Sequence, residues 1–281
     1  MLKILVTGSR GFVGRSLVPA LVKDGHEVVG FDLADGQDIR NGFELTKFMK
    51  EQCPDLVIHL AARAGAELSN EFVKEYMDTN FGGTLNVLSA MKAAGVPRII
   101  YFSSASVLGS GSMKKEHDPF NPQSVYALSK VNAEWAIRHS GVNNVILRPF
   151  TLFGLHGRQD QVFYKWIRLV KQGKPIEVHR SSRGFTHIDD LVDAVVKCVH
   201  SDLNEVTINL GDPRSYELHD VFDMFFTLCK RKKRDVYVVT DLVDAPIRDS
   251  SNGSSRAKIM LGWNPKRDLA KELWKIVKAE L

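Results

Sequence analysis

The sequence predicts an α/β fold: an open, doubly wound parallel sheet with helices on both faces, followed by a smaller mixed α/β C-terminal domain. Three observations carry this reading. Largely apolar runs at Leu2–Val6, Glu27–Phe31, Asp55–Leu60, Arg98–Phe102 and Asn144–Leu147 suit strands covered on both faces, where the alternation of a half-exposed strand is lost. Between these runs lie segments with apolar residues at helical intervals. The first strand-to-helix turn is rich in glycine, with Gly8, Gly11 and Gly14 spaced by three.

That turn has a specific context. Leu2–Val6 runs into Gly8-x-x-Gly11-x-x-Gly14, apolar residues recur from Phe12 to Val22, and Gly25 ends the helix. Strand, glycine turn and helix in this order form a Rossmann-type dinucleotide fingerprint: the bare backbone approaches a pyrophosphate seated on the helix N-terminus. Asp32 closes the second strand eighteen residues after Gly14. A carboxylate there accepts from the adenosine ribose diol and repels the extra phosphate of NADP. NAD is the expected cofactor, with Asp32 as a plain loop cap the bland alternative, and Arg10 inside the turn has the charge for a 2′-phosphate. Asp38–Arg40 is placed under the adenine and Phe43–Glu51 is a helix.

The strand Asp55–Leu60 ends in His59-Leu60-Ala61-Ala62, small residues that leave room for a cofactor at the carboxyl edge of the sheet. His59 sits in an apolar run with no second His at ligand spacing, and reads as a packed residue. One long helix is expected from about residue 70 to 93, with Asn80, Gly82 and Gly83 at its middle. Mid-helix glycines cost roughly 1 kcal/mol each, so a close approach by cofactor or backbone is implied.

Arg98–Phe102 opens into Ser103, Ser104, Ala105 and Ser106, hydroxyls at the strand end that faces a ligand crevice. Gly109–Pro122 is a polar loop. Then comes Ser124-Val-Tyr-Ala-Leu-Ser-Lys130. Tyr126 and Lys130, four apart, share one helix face. An ammonium near a phenol favours the phenolate, so the pair can supply a base closer to neutrality than a free Tyr; an exposed Tyr beside a solvated Lys has the same spacing. From Arg148 the regular alternation gives way to helices near 162–172, 188–199 and 218–229, strands near 176–179, 206–210 and 236–239, and a terminal helix after Leu261-Gly-Trp-Asn-Pro. The expected domains are 1–152, with about 184–212 packing back onto it, and 153–281.

Composition limits the function classes. The 281 residues, 44% hydrophobic, support a large core. The net charge of +5 is supplied by the run Lys230–Arg234, and a solvated loop accounts for such a run better than a nucleic-acid face, where basic residues spread over a surface. Cys53, Cys198 and Cys229 are far apart and odd in number, as expected of reduced thiols in a cytoplasmic protein without disulfide framework or zinc site. The apolar start Leu2–Val6 is too short for a signal-peptide core or a membrane span, and no metal or membrane is expected.

Together these motifs resemble the extended short-chain dehydrogenase/reductase family, in its nucleotide-sugar-modifying, NAD-dependent epimerase/dehydratase branch. The resemblance rests on the glycine turn, Asp32, His59-Leu-Ala-Ala, Asn80-Phe-Gly-Gly-Thr-Leu-Asn, Ser103-Ser-Ala-Ser-Val-Leu-Gly, Tyr126-x-x-x-Lys130, Arg148-Pro-Phe-Thr-Leu-Phe-Gly, Arg183-Gly-Phe-Thr-His-Ile-Asp-Asp and Leu261-Gly-Trp-Asn-Pro. It implies Tyr126 as acid/base, Lys130 on the nicotinamide ribose and Ser104 as the orienting hydroxyl. Cofactor contacts are expected at Gly8, Arg10, Gly11, Phe12, Val13, Gly14, Asp32, Asp38, Ile39, Leu60, Ala61, Ala62 and Asn80, with Tyr126 and Lys130. Substrate contacts are expected at Ser104, Ser106, Thr151, Arg183 and Arg248, where guanidinium groups suit a nucleotide diphosphate. The dehydratases carry Asp-Glu after the orienting hydroxyl where this chain has Ala105 and Ser106, and the usual epimerase Tyr and Asn are replaced by Leu108 and Thr151. The implied activity is an NAD-dependent nucleotide-sugar 4-epimerase on a UDP- or dTDP-sugar, in a homodimer. An NAD(P)H-dependent 4-keto-6-deoxy-sugar reductase, a 4,6-dehydratase and a non-catalytic NAD-sensing protein remain as alternatives.

Overall fold

The computed structural model describes residues 1–66, 69–232, 235–236, 238–240 and 249–281. Its backbone contacts divide the chain into two compact units, residues 1–109, 116–149 and 192–209 in one and 110–115, 150–191 and 210–281 in the other.

The first unit is built on a six-stranded sheet. In chain order it contains β1 (Lys3–Thr7), α1 (Phe12–Lys23), β2 (Glu27–Phe31), α2 (Gly42–Gln52), β3 (Leu56–His59), α3 (Val73–Tyr76), α4 (Gly83–Ala94) and β4 (Arg98–Phe102). The second unit's strand β5 (Gly111–Lys114) interrupts it, and then come α5 (Val125–Arg138) and β6 (Asn143–Pro149). The strand order is β2-β1-β3-β4-β6 with a last strand at Val206–Leu210, and the pairs from β2 to β6 are all parallel. As the apolar runs predict, Ile4, Leu5, Val6, Val57, Ile58, Ile99 and Ile100 are fully buried, covered from both sides. The chain leaves β1 in one direction to β2 and returns past it to β3. The carboxyl ends of β1 and β3 therefore form the switch point at which a ligand crevice opens.

The expected helix from 70 to 93 is an unbroken helical run over 73–94 that is not α-helical throughout. Between α3 and α4 the backbone widens into a π-helical segment, Met77–Gly82, as such bulges do at functional sites. Gly83 is explained by packing: a Cβ there would stand 2.5 Å from Ile39 Cδ1, while at Gly82 the nearest neighbour would be 3.8 Å away. The close approach is thus by a side chain of the segment after β2, with no backbone involved. Asn86 of α4 fixes the same segment by donating to the carbonyls of Ile39 (2.9 Å) and Arg40 (3.0 Å).

The second unit contains β7 (Thr151–Phe153), α6 (Val162–Lys171), β8 (Ile176–Val178), β9 (Ser182–Arg183), β10 (Phe185–His187), the start of α7 (Ile188–Val199), β12 (Tyr216–Glu217), α8 (Leu218–Arg231), β13 (Val238–Thr240), β14 (Ser250–Asn252), α9 (Arg256–Leu261) and α10 (Leu269–Glu280), with β11 (Val206–Leu210) belonging to the sheet above. Its core is aromatic: Phe163 stacks on Phe185 at 5.2 Å, and Trp166 meets Phe222 edge-on at 5.3 Å. Such pairs add to plain area burial. The loop after Ser106 holds a strand that local pattern does not show, because β5 gains its partner, β14, from far along the chain. Arg248, Lys233 and Arg234 lie outside the described residues; Lys230 sits 4.4 Å over the Phe226 ring at the end of α8.

Candidate active site

A cavity of about 440 Å³ opens at the switch point, lined among others by Gly8, Arg10, Gly11, Asp32, Asp38, Ile39, Leu60, Ala61 and Ala62. The glycine turn makes the room. Gly8 has φ +73°, and a Cβ on it would lie 2.7 Å from Ala61 N; a Cβ on Gly14 would run into the Gly8 and Ser9 backbone. Gly11 stands at the N-cap of α1 without any side-chain cap, which leaves the first amides of the helix to an anion. Phe12, Val13 and Gly14 belong to this helix and are not among the cavity-lining residues.

Asp32 is both cap and candidate ligand. Its Oδ1 accepts from Ala34 N (2.8 Å) and its Oδ2 from Arg10 N (2.8 Å), while Gln37 Oε1 accepts from its own amide (3.2 Å). A carboxylate has about four acceptor positions, so two remain for a diol. Arg10, the residue suited to a 2′-phosphate, is bound instead to Asp35, Nε to Oδ2 at 2.6 Å and Nη2 to Oδ1 at 2.5 Å. Arg40 is likewise held by Asp38, which lowers the Asp38 carboxyl below its usual range. Asp35, Gln37 and Arg63 are wall or wall-ordering residues that spacing did not identify; Asp35 and Gln37 lie in a short turn with no motif of its own.

Asn80 is held by the protein itself. It is buried, its Oδ1 accepts from Arg63 N (2.8 Å), and its Nδ2 donates to Arg63 O (3.0 Å) and Ser129 Oγ (2.9 Å). Its amide ties the segment after β3 to α5 and is absent from the lining. His59 is the packed residue the sequence predicts. Thr84 Oγ1 donates to Asn80 O (2.6 Å) and so accepts from His59 Nε2 (3.0 Å), which leaves Nδ1 to accept from Thr7 Oγ1 (2.7 Å). Burial, helped by Lys130, pushes His59 down to about 3 from an ordinary 6.5. Between those values the unfolded chain binds a proton that the folded one excludes, so stability falls as the pH drops through this window. Denaturant titrations at stepped pH are expected to show that fall, and a smaller one in a His59→Gln variant.

The Tyr126 helix begins at Ser124, whose side chain caps Ala127 N at 3.1 Å. Tyr126 therefore lies in the first turn of α5, where the helix dipole adds positive potential; its ring meets Tyr76 edge-on at 6.3 Å. Lys130 is buried one turn on, donates to Phe102 O at 2.8 Å and stands 5.0 Å over the Tyr101 ring. Burial lowers its pKa to about 7 against the opposing pull of Glu134. Of the serines after β4, Ser103 is buried and donates to Glu134 Oε1 (2.5 Å). Ser104 caps the turn Ala105–Leu108, and Ser106 Oγ donates to Ser104 Oγ at 2.9 Å. Ser104 and Ser106 are half-buried and paired with each other. Thr151 and Arg183 belong to the second unit, Thr151 opening β7 opposite Phe185 and Arg183 in β9 opposite Tyr216.

One further polar group has the proximity of a metal site. Asp24, His26 and His200 place ligand atoms within 4.8 Å of one another. The Leu2 amide donates to His26 Nδ1 (3.2 Å), so the ring proton is on Nε2, which faces Asp24 Oδ2 at 3.1 Å. An imidazole with its lone pair already engaged does not offer it to a cation, and the group reads as a hydrogen-bonded cluster. No helix among the described residues is long and apolar enough to cross a membrane.

A parallel sheet with a glycine turn at its switch point, a carboxylate closing the second strand and a Ser-Tyr-Lys set on the next elements defines a dinucleotide-dependent enzyme of the extended short-chain dehydrogenase/reductase type. The chain belongs to the NAD dependent epimerase/dehydratase family, whose model matches residues 4–211. A probable UDP-glucuronate 4-epimerase of Rhizobium meliloti (strain 1021) is 32% identical over 71% of this chain and 68% of its own length. MoeE5, solved with UDP-glucuronic acid and NAD, superposes with a TM-score of 0.88 at 26% identity, covering 98% of both chains. The UDP-glucuronic acid 4-epimerase of Bacillus cereus, solved with the same two ligands, gives 0.86 at 27% identity over 99% of both.

Proposed function

We propose that this chain is an NAD-dependent UDP-sugar 4-epimerase. The observation that carries the reading is the set on α5 and after β4, Tyr126 in a first helical turn, Lys130 buried beside it and the Ser104–Ser106 hydroxyl pair, in a chain similar to 4-epimerases. The cavity fits the cofactor: Gly8, Gly11, Ala61 and Ala62 leave space for the pyrophosphate, Asp32 has acceptor capacity for the ribose, and Asp38 with Ile39 borders the adenine end. Bound NAD supplies hydride acceptance and return at the sugar carbon. Tyr126 takes the proton from the sugar hydroxyl and returns it after the carbonyl has turned over. Ser104, oriented by Ser106, holds the oxygen in line, and Lys130 donates to the ribose from its seat on Phe102 O. Water elimination has no acid pair beside Ser104, since Ala105 and Ser106 occupy those positions. Thr151, Arg183 and Arg248 are proposed substrate contacts, the last two in the second domain, 153–281.

The test is incubation of the purified protein with UDP-glucuronate, UDP-glucose and their dTDP counterparts, with products followed by NMR. Interconversion of C4 epimers with no net NADH consumption is expected; sustained NADH or NADPH oxidation with a 4-keto sugar would identify a reductase instead. Asp32→Ala is expected to weaken NAD binding roughly ten- to a hundredfold, the loss of a charged hydrogen-bond acceptor, and to narrow the preference over NADP, read by calorimetry with both dinucleotides.

A homodimer is part of the same proposal. Leu85 of α4 with Leu128 and Trp135 of α5 are 40%, 43% and 55% exposed on two adjacent helices, large apolar side chains that a second copy would cover. Light scattering is expected to give twice the chain mass, and Trp135→Glu to shift it to the monomer. The free cysteines, Cys53, Cys198 and Cys229, support a reducing, cytoplasmic location.

A further inference from the structure

Behind the Tyr126 face of α5 lies a charged cluster that none of the proposed steps uses. Glu134 is fully buried one turn beyond Lys130, so Tyr126, Lys130 and Glu134 form one line along the helix. Its Oε1 accepts from Arg148 Nε (2.8 Å) and Ser103 Oγ (2.5 Å), and its Oε2 from Arg148 Nη2 (2.7 Å) and Arg138 Nη2 (3.2 Å). Arg148, itself 2% exposed, also donates to Glu116 O (3.1 Å) and lies 5.2 Å over the Phe120 ring.

This carboxylate sits where three elements meet. Ser103 is the exit of β4, adjoining both Ser104 and Phe102, whose carbonyl holds Lys130. Arg148 is the exit of β6, and Ser103 N bonds to Leu147 O of that strand at 2.8 Å. The groups facing Lys130 are His59 of β3, Tyr101 of β4, the Phe102 carbonyl, and Tyr126 and Glu134 on its own helix. His59 is held neutral by burial and by Lys130 itself, and Glu134 brings the negative charge. Burial works against the Lys130 ammonium and Glu134 works for it.

We propose that Glu134 is a positioning residue for proton transfer: through Ser103 and Arg148 it locks the exits of β4 and β6 onto α5, one helical turn beyond Lys130. This deepens the epimerase reading and rests on it. A purely structural ion pair would need only Arg148 and Glu134; the bond to Ser103 and the alignment with Lys130 tie the pair to the reacting set.

The test separates these roles. In the NAD-loaded protein, Glu134→Leu/Arg148→Met removes both charges together, a replacement that buried pairs commonly tolerate without loss of stability. Glu134→Gln, which keeps the shape and removes the charge, is measured in parallel. The phenolate absorbance of Tyr126 is titrated in each background as the difference between the protein with and without Tyr126→Phe. Loss of the Lys130 ammonium is expected to move that titration upward by about one pH unit or more, with kcat lowered about tenfold and KM little changed. A folded double variant with wild-type titration and kcat overturns the proposal. If the wild type interconverts no UDP-sugar the functional reading fails, while the titration still decides the role of Glu134.

Discussion

Tyr126→Phe is expected to lower kcat by about 10²- to 10⁴-fold, the usual worth of a positioned proton-transfer group, while NAD binding and thermal stability stay close to those of the parent. The change removes one oxygen from a half-buried ring and keeps the ring that meets Tyr76 edge-on at 6.3 Å. Stopped-flow or NMR turnover together with calorimetric NAD titration checks both halves. A variant that retained turnover would exclude Tyr126 as the proton-transfer group, whereas a parent protein without turnover would leave a cofactor-binding protein without chemistry. Lys130 is a less clean target: its amine is buried and bonded to Phe102 O, so its removal disturbs the β4 exit as well as the proton path.

Arg148→Ala is expected to destabilise the first unit by about 3–5 kcal/mol, read as the shift in a urea or guanidinium midpoint. The cause is what remains behind. Glu134 would keep its charge at zero exposure with Ser103 and the partly exposed Arg138 as partners, and a buried ion stripped of its main counter-charge costs that much. Against a typical domain stability of about 5–15 kcal/mol, this is a large fraction. The double replacement with Leu and Met is expected to recover most of it, because it leaves no unpaired charge.

Much of the site is legible in the sequence because it is local. Gly8, Gly11 and Gly14 lie in one turn, Asp32 closes the next strand, and Tyr126 and Lys130 share one helix face; each signal needs only the period of a helix or strand to be read. The strands β1, β3, β4 and β6 were visible for the same reason, since burial on both faces writes an unbroken apolar run. Where the reading failed, the deciding partner was remote. The bonds of Asn80 to Arg63 and Ser129 have no signal in the spacing. The expected helix from 70 to 93 carries a π segment that its period does not show, and β5 lies within an expected loop because Ser250–Asn252 supply its pairing.

The sequence by itself determined the fold class and the dinucleotide turn, since these follow from short-range periodicity and from side-chain chemistry. Only the tertiary structure decided that Ser103 is buried on Glu134 while Ser104 and Ser106 pair with each other, that Arg10 is engaged by Asp35, and that a buried carboxylate joins β4, α5 and β6. Those outcomes depend on which groups lose their water and which distant partner then replaces it, a choice made by packing that spacing along the chain does not encode.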